Sequence, residues 1–86
     1  MDGSEVIDRL IALLEQDKIE DARALLRKEA KATPDLLLIL NNAACSMMET
    51  KKFLEAASLF RLALSADSGN ATLRNNLAYL YIQLGD

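Results

Sequence analysis

Leu40-Asn41-Asn42-Ala43-Ala44 and Arg74-Asn75-Asn76-Leu77-Ala78 decide how this chain is read, because one phrase stands twice, 34 residues apart. Asn41, Asn42 and Ala44 recur as Asn75, Asn76 and Ala78. The same offset carries Ala22, Leu25, Arg27 and Ala32 onto Ala56, Leu59, Arg61 and Ala66. Identities that share one offset in a chain of 86 residues are not an accident of composition. A fixed period of about 20–50 residues marks a stack of supersecondary units, each too small to bury its apolar face alone.

The periodicity around the repeated phrase is helical. Ile7, Leu10, Ile11 and Leu14 form one apolar face at i, i+3, i+4, i+7, with Ser4 as the expected N-cap. Ile19, Ala22, Leu25, Leu26 and Ala30 mark a second helix that stops before Pro34. Asp35 is placed to cap a third, running to about Glu49 and followed by a turn at Thr50-Lys51-Lys52. Phe53, Ala56, Ala57, Leu59, Phe60, Ala63 and Leu64 form a fourth, ended by Asp67-Ser68-Gly69-Asn70. A fifth runs from about Ala71 to Leu84 and stops at Gly85. No alternating β-branched run signals a strand. The expectation is an all-α single domain of five helices, with units at residues 3–36 and 37–70 and a half unit at 71–86.

The chain resembles the tetratricopeptide repeat family, whose unit of about 34 residues carries W-x₂-L-G-x₂-Y, then A-x₃-F, then P. Leu77, Ala78 and Tyr81 match first-helix positions, with Arg74 in place of the aromatic. Ala44 supplies the small residue of the preceding unit, with Leu40, Ala43 and Met47 as apolar substitutes. Ala56 and Phe60 hold the A-x₃-F spacing, and Ala22, Leu26 and Pro34 fit the first unit. Ile7, Leu10, Ile11 and Leu14 fit it only if the first turn is one residue short, and Gly85-Asp86 resembles the pair joining the helices of a unit. The resemblance implies an α-solenoid, a right-handed superhelix of antiparallel helix pairs. Small residues (Ala44, Ala56, Ala63, Ala78) would let backbones approach, while Leu26 and Phe60 fill the space between units. It also implies a concave groove, lined by first helices, that takes an extended or helical peptide from a partner protein.

On that reading the groove face of the third helix shows Leu38, Asn41, Cys45, Met48 and Glu49. The matching stripe of the fifth is Thr72, Asn75, Tyr79, Ile82 and Gln83. Asparagine is a poor mid-helix residue, yet the Asn-Asn doublet appears twice in the same phase. Two readings stand side by side: the amides of Asn41 and Asn75 bond a peptide backbone, or the doublets, Asn42 and Asn76 above all, bond neighbouring helices. One subgroup of the family grips a chaperone's C-terminal carboxylate with a Lys/Arg–Asn clamp. Asn42 and Asn76 match part of this co-chaperone arrangement, but Ile7 and Ile11 (or Asp8 and Ala12) replace its first-unit residues, and Thr72 stands at a lysine position. A nearly uncharged stripe points instead to an apolar or backbone-read ligand. Cys45, with no basic neighbour, reads as a small hydrophobe rather than a redox site, and Met47 as core.

Composition bounds the chemistry. Apolar residues make up 51% of the chain and charged residues 27%, with a net charge of −3. Apolar runs such as Leu36 to Leu40 are far shorter than the ~20 residues of a membrane span. With no histidine and a single cysteine, the chain offers neither a disulfide framework, nor a Cys/His zinc site, nor a nucleophile–histidine pair. No enzyme activity, metal or cofactor is expected. The acidic balance and the absence of a basic stripe argue against nucleic acid, including an RNA-binding helical repeat. The N-terminus, Met1-Asp2-Gly3-Ser4-Glu5, does not read as a secretory signal, which favours the cytoplasm.

The fifth helix is the oddity, for Leu77 to Ile82 and Leu84 leave it little polar face. Three explanations stay open: the chain is part of a longer repeat protein, a partner covers the helix, or two copies pair through it. For pairing, the candidate residues are Leu77, Leu80, Tyr81 and Leu84. The leading expectation is a protein-interaction scaffold that binds a peptide or helix in its groove. The alternative is self-association through the fifth helix.

Overall fold

The computed structural model describes residues 2–85. Asp86, second member of the Gly85-Asp86 pair, lies outside them. The described residues form five helices and no strand: α1 (Gly3–Glu15), α2 (Ile19–Ala32), α3 (Leu36–Glu49), α4 (Phe53–Ala66) and α5 (Ala71–Gly85). The ends of α1 and α3, the starts of α2 and α4, and the ends of α2 and α4 are each 34 residues apart. The first turn is therefore not a residue short, and Ile7, Leu10, Ile11 and Leu14 share the register of Asn41, Ala44, Cys45 and Met48.

Those equal turns share a backbone device. After α1, the Lys18 N–H donates to Leu13 O at 2.8 Å and the Asp17 N–H to Leu14 O at 3.0 Å. After α3, the Lys52 N–H donates to Met47 O at 2.8 Å and the Lys51 N–H to Met48 O at 2.9 Å. This is the Schellman pattern, and it forces Asp17 (φ 61°) and Lys51 (φ 64°) into the left-handed region. Neither is glycine, so each carries the steric penalty of a Cβ there.

Helix starts differ from expectation in detail. Asp2, not Ser4, caps α1, its Oδ1 accepting from the Glu5 N–H at 2.9 Å. Asp35 occupies the cap position of α3 but makes no side-chain cap bond. Asn70, expected only as part of a terminating loop, caps α5: its Oδ1 accepts from the Leu73 N–H at 3.1 Å.

Each helix packs on its sequence neighbour, and α1 on α3, α2 on α4, and α3 on α5 as well. One apolar core results, centred on fully buried Phe60 and completed by Leu10, Leu26, Leu36, Leu40, Leu59, Leu73 and Leu80. Ala44, Ala56 and Ala63 are buried where backbones approach. Ala78 was expected to do the same, but it is exposed. The difference is geometric: α4 covers the face of α3 that holds Ala44, and no described helix covers that face of α5.

Candidate functional site

The flank of α3 that faces α5 leaves two hollows along their seam. The larger, about 420 Å³, lies toward the C-terminal ends and is lined by Cys45, Met48, Glu49, Lys51, Phe53, Asn76, Tyr79 and Gln83. The smaller, about 150 Å³, lies toward the N-terminal ends and is lined by Leu37, Leu38, Asn41, Asn70, Thr72 and Leu73. Most of the stripe residues read from the sequence thus line one seam. Asn42, Asn75 and Ile82 line neither hollow, and all three are exposed.

The doublets explain this division. Asn76 Nδ2 donates to Asn41 Oδ1 at 2.8 Å and approaches Cys45 Sγ at 3.7 Å. One member of each doublet therefore joins α3 to α5. Asn41 is buried, and the bond satisfies its carbonyl oxygen in an apolar interface. The bridge spans 35 residues rather than 34, because α3 and α5 meet through opposite flanks. The equivalent of Asn41 is Asn75, which faces away from the seam on the uncovered side of α5. Replacing Asn41 removes an interhelix bond, so its loss acts on stability as well as on any ligand.

In the larger hollow, Cys45, Met48, Phe53 and the ring of Tyr79 supply apolar wall, and Asn76, Gln83, Glu49 and Lys51 supply polar groups. Burial first, and the Glu49 carboxylate second, push the Cys45 thiol above its ordinary pKa. The thiol is thus protonated and weakly nucleophilic at neutral pH. Lys51 and Phe53 were not read as site residues. They enter from the α3–α4 turn and the start of α4, outside any i, i+3/i+4 stripe on a first helix. Among the described residues, no three Asp, Glu or Cys side chains cluster as metal ligands.

The residues read for self-association are divided by burial. Leu80 is fully buried and Leu77 is packed against the core, whereas Tyr81 and Leu84 are each 42% exposed. The Tyr81 hydroxyl accepts from both Nε, at 2.8 Å, and Nη2 of Arg61 on α4. The guanidinium carbon lies 5.5 Å from the ring centroid, and the two donated bonds place it at the hydroxyl end of the ring. Exposed Tyr79 and Ile82 complete the apolar surface of α5.

No helix among the described residues is long and apolar enough to cross a membrane. No protein-family model, curated protein or solved structure matches the chain.

Proposed function

We propose that this chain is a protein-interaction module of tetratricopeptide-like build, a short α-solenoid that takes a partner peptide or helix along the α3–α5 seam. The observation that carries the proposal is the seam itself. Cys45, Met48, Asn76 and Tyr79, drawn from two helices one period apart, share one hollow of about 420 Å³. An apolar side chain of a partner enters that hollow against Met48, Phe53 and Tyr79, while Gln83 and the carbonyl oxygen of the Asn76 amide meet its backbone. The flexible thioether side chain of Met48 adapts to more than one shape of partner side chain. The partner is a protein, not nucleic acid, and the role is binding rather than catalysis.

Panning a displayed peptide library against the intact chain tests this reading. Selected peptides should lose at least about tenfold in affinity, roughly 1.4 kcal/mol, on Met48→Ala or Tyr79→Ala, with little change in Tm for the exposed Tyr79. Peptides whose affinity ignores both substitutions would overturn it.

A second reading, self-association through α5, is favoured by Ile82, 62% exposed, beside Tyr81 and Leu84. Light scattering that gives a strict monomer at high concentration removes it.

A further inference from the structure

On another side of the molecule, α4 forms the floor of a second trough. One part, about 150 Å³, is lined by Leu14, Ile19, Arg23, Ser58, Arg61 and Leu62. The adjoining part, about 220 Å³, is lined by Ile11, Leu14, Glu15, Met47, Leu54, Glu55, Ser58 and Leu59. Leu14 and Ser58 belong to both, so the floor is continuous. Ile19, 44% exposed, and Leu54, 71% exposed, stand at its edges, unlike most large apolar residues of the chain.

The trough is polarised. The Leu62 end holds Arg23 and Arg61 and no carboxylate in its wall, whereas the Leu54 end holds Glu15 and Glu55 and no cation. Arg23 shares one Nη with Glu20 at 2.9 Å, an exposed i, i+3 pair of small worth. Arg61 makes no ion pair among the described residues, and its two donations go to a neutral phenol oxygen. The Tyr81 hydroxyl thus fixes the guanidinium in place and leaves Nη1 unclaimed. Ser58 Oγ donates to Leu54 O at 3.1 Å, so its lone pairs face outward as acceptors. Two arginines concentrated at one end of an acidic protein select an anion, and the leucine floor beside them selects an apolar neighbour to it.

We propose that this trough docks an amphipathic helix of a partner protein, antiparallel to α4. The acidic first turn of that helix lies on Arg23 and Arg61, its apolar stripe on Leu14, Leu54 and Leu62, and its basic last turn on Glu15 and Glu55. From Leu54 to Leu62 the floor is about 12 Å long at 1.5 Å per residue, which matches the two central turns of a docked helix whose charged end turns meet the long Arg and Glu side chains at either end. Acid at the start and base at the end also favour the helix dipole of the ligand, so one charge order serves folding and docking together. This surface is independent of the α3–α5 seam, and either site can fail without the other.

The test uses a capped peptide of roughly 14 residues, mostly alanine, with aspartates in its first turn, leucines at helical spacing in its middle and lysines in its last turn. A second peptide has the aspartates and lysines exchanged. The first should bind the intact chain about tenfold more tightly than the second, the difference shrinking with added salt. Its amide shift changes should centre on Ser58, Arg61 and Leu54. In Arg23→Glu/Arg61→Glu the preference should disappear, and in Glu15→Lys/Glu55→Lys it should fall as well, which guards against misfolding of either variant. Tyr81→Phe, which keeps both arginines, should retain it. Equal affinity for the two peptides, binding of neither, a preference that survives both charge variants, or shifts centred on the α3–α5 seam would each overturn the proposal.

Discussion

Asp17 and Lys51 hold the same place in two turns, each in a left-handed conformation that suits glycine. Lys51→Gly and Asp17→Gly should therefore each raise stability, by about 0.5–1 kcal/mol, as an upward shift of the urea midpoint at constant m. The sequence announced a turn at Lys51 but not its geometry, because the residue that normally signals it is absent. Asn41→Ala should destabilise by about 1–3 kcal/mol, since it leaves the Asn76 amide without its carbonyl partner. A double-mutant cycle with Asn76→Ala should return a non-additive term. The doublets were visible as an anomaly in the sequence, but the pairing was not. Repetition identifies equivalent residues, whereas successive helices meet through non-equivalent flanks. Cys45 should alkylate more slowly at pH 8 than a free cysteine, and Glu49→Gln should speed it, because that carboxylate adds to burial in raising the thiol pKa. The sign for stability follows from the raised pKa. The folded thiol is fully favourable below the unfolded pKa, and its contribution falls as pH rises through the folded value.

Among the elements, α5 concentrates the contrast between packed and open faces. Leu80 is fully buried and Ile82 is not, so Leu80→Ala should lose about 2–5 kcal/mol while Ile82→Glu stays within about 0.5 kcal/mol in the monomer. Denaturant unfolding of the two variants checks both values. The apolar excess of α5 was legible from Leu77 through Leu84. Which residues were spent on the core was not, since a helix with apolar residues all round carries no phase. Leu77 and Leu80 went inward because α4 and α3 lie on that side, leaving Tyr81 and Leu84 outward. Helix boundaries were legible within a residue or two from Pro34, Asp35 and the 34-residue offset. The capping roles of Asp2 and Asn70 were not, because several cap-forming residues stood near each start.

For the whole molecule, Phe60 is the largest fully buried side chain, at the meeting of the core-facing sides of the helices. A chain of 86 residues is expected to hold only about 4–13 kcal/mol in total. Phe60→Ala should remove about 3–5 kcal/mol of it, read as a lowered urea midpoint or as loss of the cooperative transition. The all-helical build and its period were readable because every level of the sequence agreed on them. The α3 stripe places the residues that line the α3–α5 seam, whereas in the α5 stripe Asn75 and Ile82 fall outside it and Asn76 takes their place. The trough on α4 was not, because its walls come from three further helices whose charges read singly as solvated faces. The most direct test of the seam as the partner surface is photo-crosslinking in the native cell extract, with a benzophenone residue placed at Tyr79 and, as controls, at Ile82 and Arg27. Position 79 should give a discrete adduct with a protein other than this chain, abolished by excess panned peptide and absent from position 27. Adducts only between copies of this chain through Ile82, or equal labelling from all three positions, would contradict it.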